Sequence, residues 1–322
     1  MVRKVILPQI MIETAPNNPK ASNEISSFKS LSNPDFAEIL SSIPRNGIEN
    51  CPIKFIMPTI KLKEEMTYPN SIDFKCPGVV IRLQDLLSAD GHRLTPLFWE
   101  IVSNGGIHDF LRFDRTVILS SIMKDQMILG CSKETYRKAI EGLQPDYYIT
   151  PDGETYQGEK NISAYEIRRI CNDTLFLMRN CGDCKPIGLV KGCNLNQIIY
   201  HTRQLSDLGI DIFLFHAGPF LDAKTLLCLN NARIFFNAIR NLAPRLLIYG
   251  IGARDHLKLF ISADGYITNS HYMAAFKRLR LTNGKWEKDK KTPTIDLIDH
   301  NLHEIEKCLL NIQSSERIER WC

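Results

Sequence analysis

The chain has 322 residues and is 44% hydrophobic, with 24% charged residues and a net charge of +4. That size fits one large barrel domain or two ordinary ones, and the apolar content is that of a folded globular protein rather than a disordered or fibrous one. No run approaches the roughly 18 apolar residues a membrane-spanning helix needs, and the apolar run after Met1 is too short, before Pro8 and Glu13, for a secretory signal.

The ten cysteines stand singly through segments that read as helix and strand. A secreted disulfide scaffold would be smaller and loop-rich, so a reducing cytoplasmic compartment is expected. Cys181-Gly-Asp-Cys184 is a lone C-x-x-C after a helix end. A zinc site needs four ligands and a redox pair sits at a helix start, so this pair reads as two ordinary thiols.

Nine of the 16 prolines fall within residues 1–77, together with Ser- and Asn-rich stretches. This part reads as an irregular N-terminal segment packing on the rest, with short strands at Val5–Leu7 and Phe55–Met57. From residue 78 to 322 a regular rhythm takes over. Strands are predicted at Val79–Leu83 and Val117–Ser121, then a helix over Ser132–Leu143. A strand at Tyr147–Thr150 precedes a helix from Ala164 to Asn180. A strand at Pro186–Val190 precedes a helix over Asn194–Leu208, with Asn194 as its cap and Gly209 as its stop. Asp211–Phe215, the helix Ala223–Asn241, Leu246–Tyr249, a short helical segment and Tyr266–Thr268 follow, and a last helix runs from about Asp296 to Ser314.

Short strands of nearly continuous apolar residues, alternating with longer helices, indicate a parallel sheet buried on both faces. So many such units favour a closed (β/α)8 barrel over an open, doubly wound sheet. In such a barrel chemistry sits just past the strand ends. Those positions hold Ser120 and Ser121, then Asp152 and Glu154, then Lys191, Gly192 and Cys193. Further along come His216, Ala217 and Gly218, then Gly250, Gly252 and Arg254, and last Asn269, Ser270 and His271. Alone, each has an ordinary explanation. Pro151-Asp-Gly153 is a turn by composition, Lys191 a solvated cation, His216 a packed histidine, and Gly250-Ile-Gly252 a bare Gly-x-Gly. Their shared placement on one rim makes them candidates together.

One charge run stands out. Between Lys277 and Lys291 lie Lys277, Arg278, Arg280, Lys285, Lys288, Lys290 and Lys291 against Glu287 and Asp289. That local excess of +5 is larger than the +4 of the whole chain. It reads either as a solvated loop with a helix end or as a patch for a phosphate backbone.

Taken together, these motifs resemble the tRNA-guanine transglycosylase superfamily, especially its archaeal branch. The resemblance covers roughly residues 79 to 314. It rests on Gly250-Ile-Gly252, Tyr266-Ile-Thr-Asn269-Ser270, Tyr272-Met-Ala-Ala-Phe276, Arg278-Leu-Arg-Leu-Thr282 and His300-Asn-Leu-His303. Pro145–Asp152, Leu189-Val-Lys-Gly192 and His216-Ala-Gly218 are similar to the family's base-binding segments. The resemblance implies a (β/α)8 barrel handling a 7-deazaguanine base, of the preQ0 or archaeosine type, in tRNA.

It also implies departures. Asn269 stands where the family has its nucleophilic aspartate, Ser120 replaces another aspartate, and Lys191 replaces a base-reading glutamine. Asp152 is retained. Asp152 and Asn269 are thus the candidate catalytic positions, and Ser120, Lys191, His216, Gly218 and Gly252 the candidate base-binding ones. The zinc motif of the family is missing from the corresponding segment, so neither a metal nor another cofactor is expected. An amide is a poor nucleophile. The expectation is therefore a modification protein with a degenerate nucleophile site, either an enzyme or its inactive paralogue. The alternatives are a non-catalytic nucleic-acid-binding subunit, or a DNA 7-deazaguanine transglycosylase-like protein. A partner subunit supplying RNA-binding or catalytic parts, and a homodimer, are compatible with the resemblance.

Overall fold

Eight short strands, each apolar on both faces, form the centre of the described residues. The computed structural model describes residues 55–68, 77–155, 160–182, 184–222, 226–252 and 254–319. The strands are β1 (Phe55–Pro58), β2 (Gly78–Arg82), β3 (Thr116–Ser120), β4 (Tyr147–Ile149), β5 (Lys185–Val190), β6 (Ile212–His216), β7 (Arg245–Tyr249) and β8 (Gly265–Thr268). They form one sheet in the order β1-β8-β7-β6-β5-β4-β3-β2, with every pair parallel. The sheet's two ends meet through a parallel bridge between Thr59 and Val80, where the Ile60 amide donates to the Val80 carbonyl at 2.8 Å. The result is a TIM-type α/β barrel.

Strand alternation divides the apolar residues into two layers. Met57, Val80, Ile118, Ile149, Leu189, Leu214, Leu247 and Ile267 fill the barrel interior. Their neighbours Val79, Ile81, Leu119, Phe213, Phe215, Ile248 and Tyr266 join the core formed with the helices. Each buried Val, Leu or Ile contributes about 1.5–3 kcal/mol, which is why nearly every strand position is apolar.

The helices are α1 (Pro96–Ser103), α2 (Ile107–Leu111), α3 (Asp125–Gly130), α4 (Lys133–Leu143), α5 (Lys160–Asn180), α6 (Leu195–Asp207), α7 (Gly218–Asp222), α8 (Leu226–Leu242), α9 (Arg254–Leu259), α10 (Ser270–Phe276) and α11 (Thr294–Glu319). Local chemistry sets several starts. The Ser132 hydroxyl accepts the Thr135 amide, and the Asn194 side chain accepts the Gln197 amide at 3.0 Å, capping α4 and α6. No helix among the described residues is long and apolar enough to cross a membrane.

Two sequence expectations need correction. The strand at Phe55–Met57 forms, but as the barrel's own first strand, laddered to β8 from Phe55 to Pro58. The barrel therefore begins before residue 78. A four-residue strand ending in a proline carries too little pattern to reveal a partner so distant in sequence. The strand predicted at Val5–Leu7 lies outside the described residues. The second correction concerns the basic run, which is more than a loop with a helix end, although Lys277 does cap α10 and Lys290 and Lys291 do lie in the loop before α11. It forms a hairpin of β9 (Leu279–Thr282) and β10 (Lys285–Lys288). Its two-residue turn is Asn283-Gly284, with φ of 50° and 81°. A tight hairpin needs positive φ at both turn positions, and Asn-Gly supplies them at least cost.

Candidate functional site at the barrel mouth

Past the interior apolar layer, the next inward positions in strand register are Thr59, Arg82, Ser120, Lys191, His216, Tyr249 and Asn269, with Tyr249 paired directly to His216. The mouth is therefore polar because the alternation continues while the residue type changes. In an eight-strand ring β4 lies opposite β8, so Asp152 and Asn269 follow strands on opposite sides of the mouth.

The best-defined element is an ion pair. Lys191 Nζ lies 2.8 Å from Asp152 Oδ1, with the two side chains only 18% and 5% exposed. Asp152 Oδ1 also accepts the Gly153 amide at 2.7 Å. The loop is steadied from α5, where Arg169 is held by Glu166 and Asp173 and donates to the Asp152 carbonyl at 2.9 Å. On the β5 side, the Lys191 amide donates to His201 Nδ1 at 2.9 Å. The same Nδ1 lies 3.2 Å from the Lys191 carbonyl, so the β5 end grips the ring through either its amide or its carbonyl, depending on the tautomer. Burial pushes the His201 pKa down to about 4.

His216 sits beside this pair, its ring centroid 5.2 Å from that of Tyr249 in an edge-on arrangement. Burial, reinforced by the Lys191 cation and opposed by Asp152, lowers its pKa to about 4. It is therefore neutral near pH 7, able to donate from one nitrogen and accept at the other. Two glycine backbones wall this side. Gly250 has φ of 93°, and a Cβ there would lie 2.9 Å from both the nitrogen and Cα of Gly218. A Cβ at Gly218 would lie 3.0 Å from His216 Nε2. At Gly252 the corresponding space is filled by Ser270 Oγ, 2.1 Å from where a Cβ would be. That glycine serves the packing of the β7 loop on α10.

Ser120 is buried and its Oγ accepts the Ile122 amide at 3.3 Å, so the hydroxyl is engaged in the turn after β3. Next to it, Ser121 Oγ donates to the Thr150 carbonyl at 2.6 Å, and Thr150 Oγ1 accepts the Leu189 amide at 2.9 Å. These bonds tie the segments after β3 and β4 to each other and to β5. Asn269 is half-buried at the start of α10; its side chain does not cap the helix, while its carbonyl accepts the Met273 amide at 3.1 Å.

A second ion pair was not anticipated from the sequence. Arg82, at the end of β2, binds Asp85 through Nη2 at 2.6 Å and Nε at 3.2 Å. The other role of Asp85 is to accept the Leu62 amide at 3.1 Å. The Arg82 guanidinium lies 6.0 Å from the Tyr272 ring centroid. The i, i+3 spacing of Arg82 and Asp85 was visible in the chain, but only barrel closure puts them at the mouth.

The seven basic residues divide. Arg278 has φ of 57° and donates to the Thr292 carbonyl at 2.5 Å and to Thr294 Oγ1 at 3.2 Å, tying the hairpin to the start of α11. Arg280 lies 3.7 Å from Asp289. Lys277, Lys285, Lys288, Lys290 and Lys291 are exposed. An open groove of about 750 Å³ runs between the hairpin and α11, lined by Arg280, Lys288, Lys290, Lys291 and Lys307 along with Glu287, Asp289 and Glu304. Asn301 holds the two elements together. It is fully buried, its Oδ1 accepts the Leu281 amide at 2.7 Å, and its Nδ2 donates to the Leu279 and His271 carbonyls at 3.0 and 3.2 Å. His300 Nε2 lies 2.8 Å from the Leu281 carbonyl.

Cys181 and Cys184 lie at the opposite end of the barrel, in the loop before β5, and burial pushes their thiols up to about 11 and about 12. Among the described residues no three His, Cys, Asp or Glu side chains come together as a metal site would require. Comparison with protein-family models and with curated proteins finds no match for this chain.

Proposed function

We propose that this chain is a transglycosylase-like barrel of nucleic-acid modification, handling a 7-deazaguanine base in tRNA by binding it rather than exchanging it. The observation that carries this reading is the Asp152–Lys191 pair at 2.8 Å, in a mouth where an amide, Asn269, follows β8. Exchange through a covalent glycosyl-enzyme needs a free carboxylate aimed at the anomeric carbon. Here the carboxylate of Asp152 is committed to an ammonium, and that of Asp85 to Arg82. The same groups suit base recognition. A carboxylate accepts from ring N–H and exocyclic amine groups, an ammonium donates to a carbonyl oxygen, and neutral His216 does either. The exposed lysines of the hairpin would take the phosphate backbone.

In this reading Asp152 and Lys191 read the base edge, Gly218 and Gly250 let it approach, and Asn269 lies where the ribose would sit. A partner subunit would then supply any chemistry on the base. The same features support a purely nucleic-acid-binding subunit, and a DNA substrate differs only in the backbone.

The test is a base-exchange assay. Wild type and Asn269→Asp are incubated with tRNA and a labelled 7-deazaguanine base, and the digested nucleosides are analysed by mass spectrometry. Binding of tRNA without incorporation by the wild type, with incorporation by Asn269→Asp, is the expected result. Incorporation by the wild type would overturn binding-without-exchange and point to Asp152 or Glu154 as nucleophile. Charge reversal at Lys288, Lys290 and Lys291 should lower the salt dependence of tRNA binding by roughly 2–3 in log–log slope. Absence of tRNA binding at low salt would remove the nucleic-acid reading altogether.

A further inference from the structure

We infer that the outer face of α1 and α4 carries a stacking site for an unpaired base of single-stranded nucleic acid, centred on Trp99. Helix α1 turns Phe98 and Ile101 into the core, and Trp99 stands next to Phe98 with 60% of its surface exposed. Its ring meets Phe98 edge-on, with centroids 4.9 Å apart, so the indole is fixed at its base and open on the outside. The two helices pack closely because residue 142 is glycine; a Cβ there would lie 2.5 Å from the Phe98 ring and 2.9 Å from Val102. Between them an open groove of about 720 Å³ is lined by Trp99, Arg93, Arg137, Lys138 and His92 among others. Glu141 is the acid in its lining, and it pairs with Arg137.

An exposed aromatic ring among cations, with one acid already neutralised, complements a polyanion that carries flat bases. Stacking binds any base through its π-face, while Arg and Lys take the phosphates. Position strengthens the assignment. His92 and Arg93 lie in the loop after β2, and Thr135 in the first turn of α4, both on the mouth side of the barrel. The groove runs from there to Glu141 and Gly142 at the far end of α4, so a strand leaving the mouth can continue along it past Trp99. In choosing nucleic acid as the occupant, the inference rests on the function proposed above.

The test uses the full chain and a short oligouridine of about eight nucleotides, free of modified bases, followed by tryptophan fluorescence and by anisotropy of a labelled copy. The expected result is saturable quenching in the wild type. Trp99→Phe should abolish most of the quenching yet bind within about threefold, and Trp99→Ala should bind about tenfold more weakly. Arg93→Ala with Lys138→Ala should lower the salt slope by about 1.4, the value for two phosphates of a single strand. All these positions are at the surface, and unchanged thermal melting checks that the variants fold. Trp99→Ala binding within twofold of wild type overturns the stacking site while leaving tRNA binding at the hairpin intact. Quenching retained when tRNA binding and exchange fail in every variant overturns the mouth reading alone. A dimer dissolved by Trp99→Ala, with no oligonucleotide binding, would assign this face to a second copy of the chain and overturn the inference.

Discussion

Replacing Lys191 by Met tests the mouth most directly, because it removes the charge and keeps most of the side-chain volume. At 2.8 Å the pair with Asp152 has a Coulomb energy of about 6 kcal/mol for an effective dielectric near 20. That is an upper bound, since forming the pair also desolvates both ions. Removing one partner of a buried pair costs about 3–5 kcal/mol, mostly from the charge left behind. Asp152 is the more enclosed partner, at 5% exposure, and in Lys191→Met it keeps only the Gly153 amide of its two Oδ1 partners. Lys191→Met should therefore cost about 3 kcal/mol. Asp152→Asn should cost less, about 1–2 kcal/mol, because Lys191 is 18% exposed and can turn toward water. The double variant should recover much of the loss, giving a coupling energy of about 2 kcal/mol. The assay is urea unfolding at pH 7 with a shared m-value, so that midpoint shifts report stability. A Lys191→Met variant within about 0.5 kcal/mol of wild type would refute the claim that the pair is buried and mutually dependent.

Three further outcomes follow from the geometry. Asn301→Leu leaves the Leu281 amide and the Leu279 and His271 carbonyls without their partner, and should cost about 3–5 kcal/mol by urea unfolding; a loss below 1 kcal/mol would show that the hairpin is not anchored there. Gly250→Ala adds a Cβ 2.9 Å from the Gly218 backbone at a φ of 93°, and should cost at least about 2 kcal/mol; a neutral variant would refute the close approach. Fully buried His201 and His271 have pKa values lowered by burial to about 4 and about 3. Below the unfolded value of about 6.5 the unfolded chain binds protons that the fold refuses. Stability should be full above about pH 6.5 and fall as pH drops toward 5, at no more than about 3 kcal/mol per unit for the two groups together. Urea midpoints that stay flat between pH 7 and 5 would show that these rings are not held neutral.

The sequence by itself determined the barrel and its strand-end positions. Strands buried on both faces must be apolar throughout, so Val79–Ile81, Leu246–Tyr249 and their like are visible as runs. Caps such as Ser132 and Asn194 act within one turn, and their residue types announce them. The Asn283-Gly284 hairpin was equally local, and its dipeptide was the signal that the charge run obscured. What only the tertiary structure decided was everything set by closure. Phe55–Pro58 becomes a barrel strand through β8, which is remote in sequence. Lys191 meets Asp152 because β4 and β5 are neighbours in one register, and that pairing turns two ordinary charged residues into a neutralised mouth. The seven basic residues share a sequence segment, yet Arg278 is spent on holding α11 while the lysines face water. Side-chain type is written in the chain, but the partner it meets, and the face it presents, follow from register and ring closure.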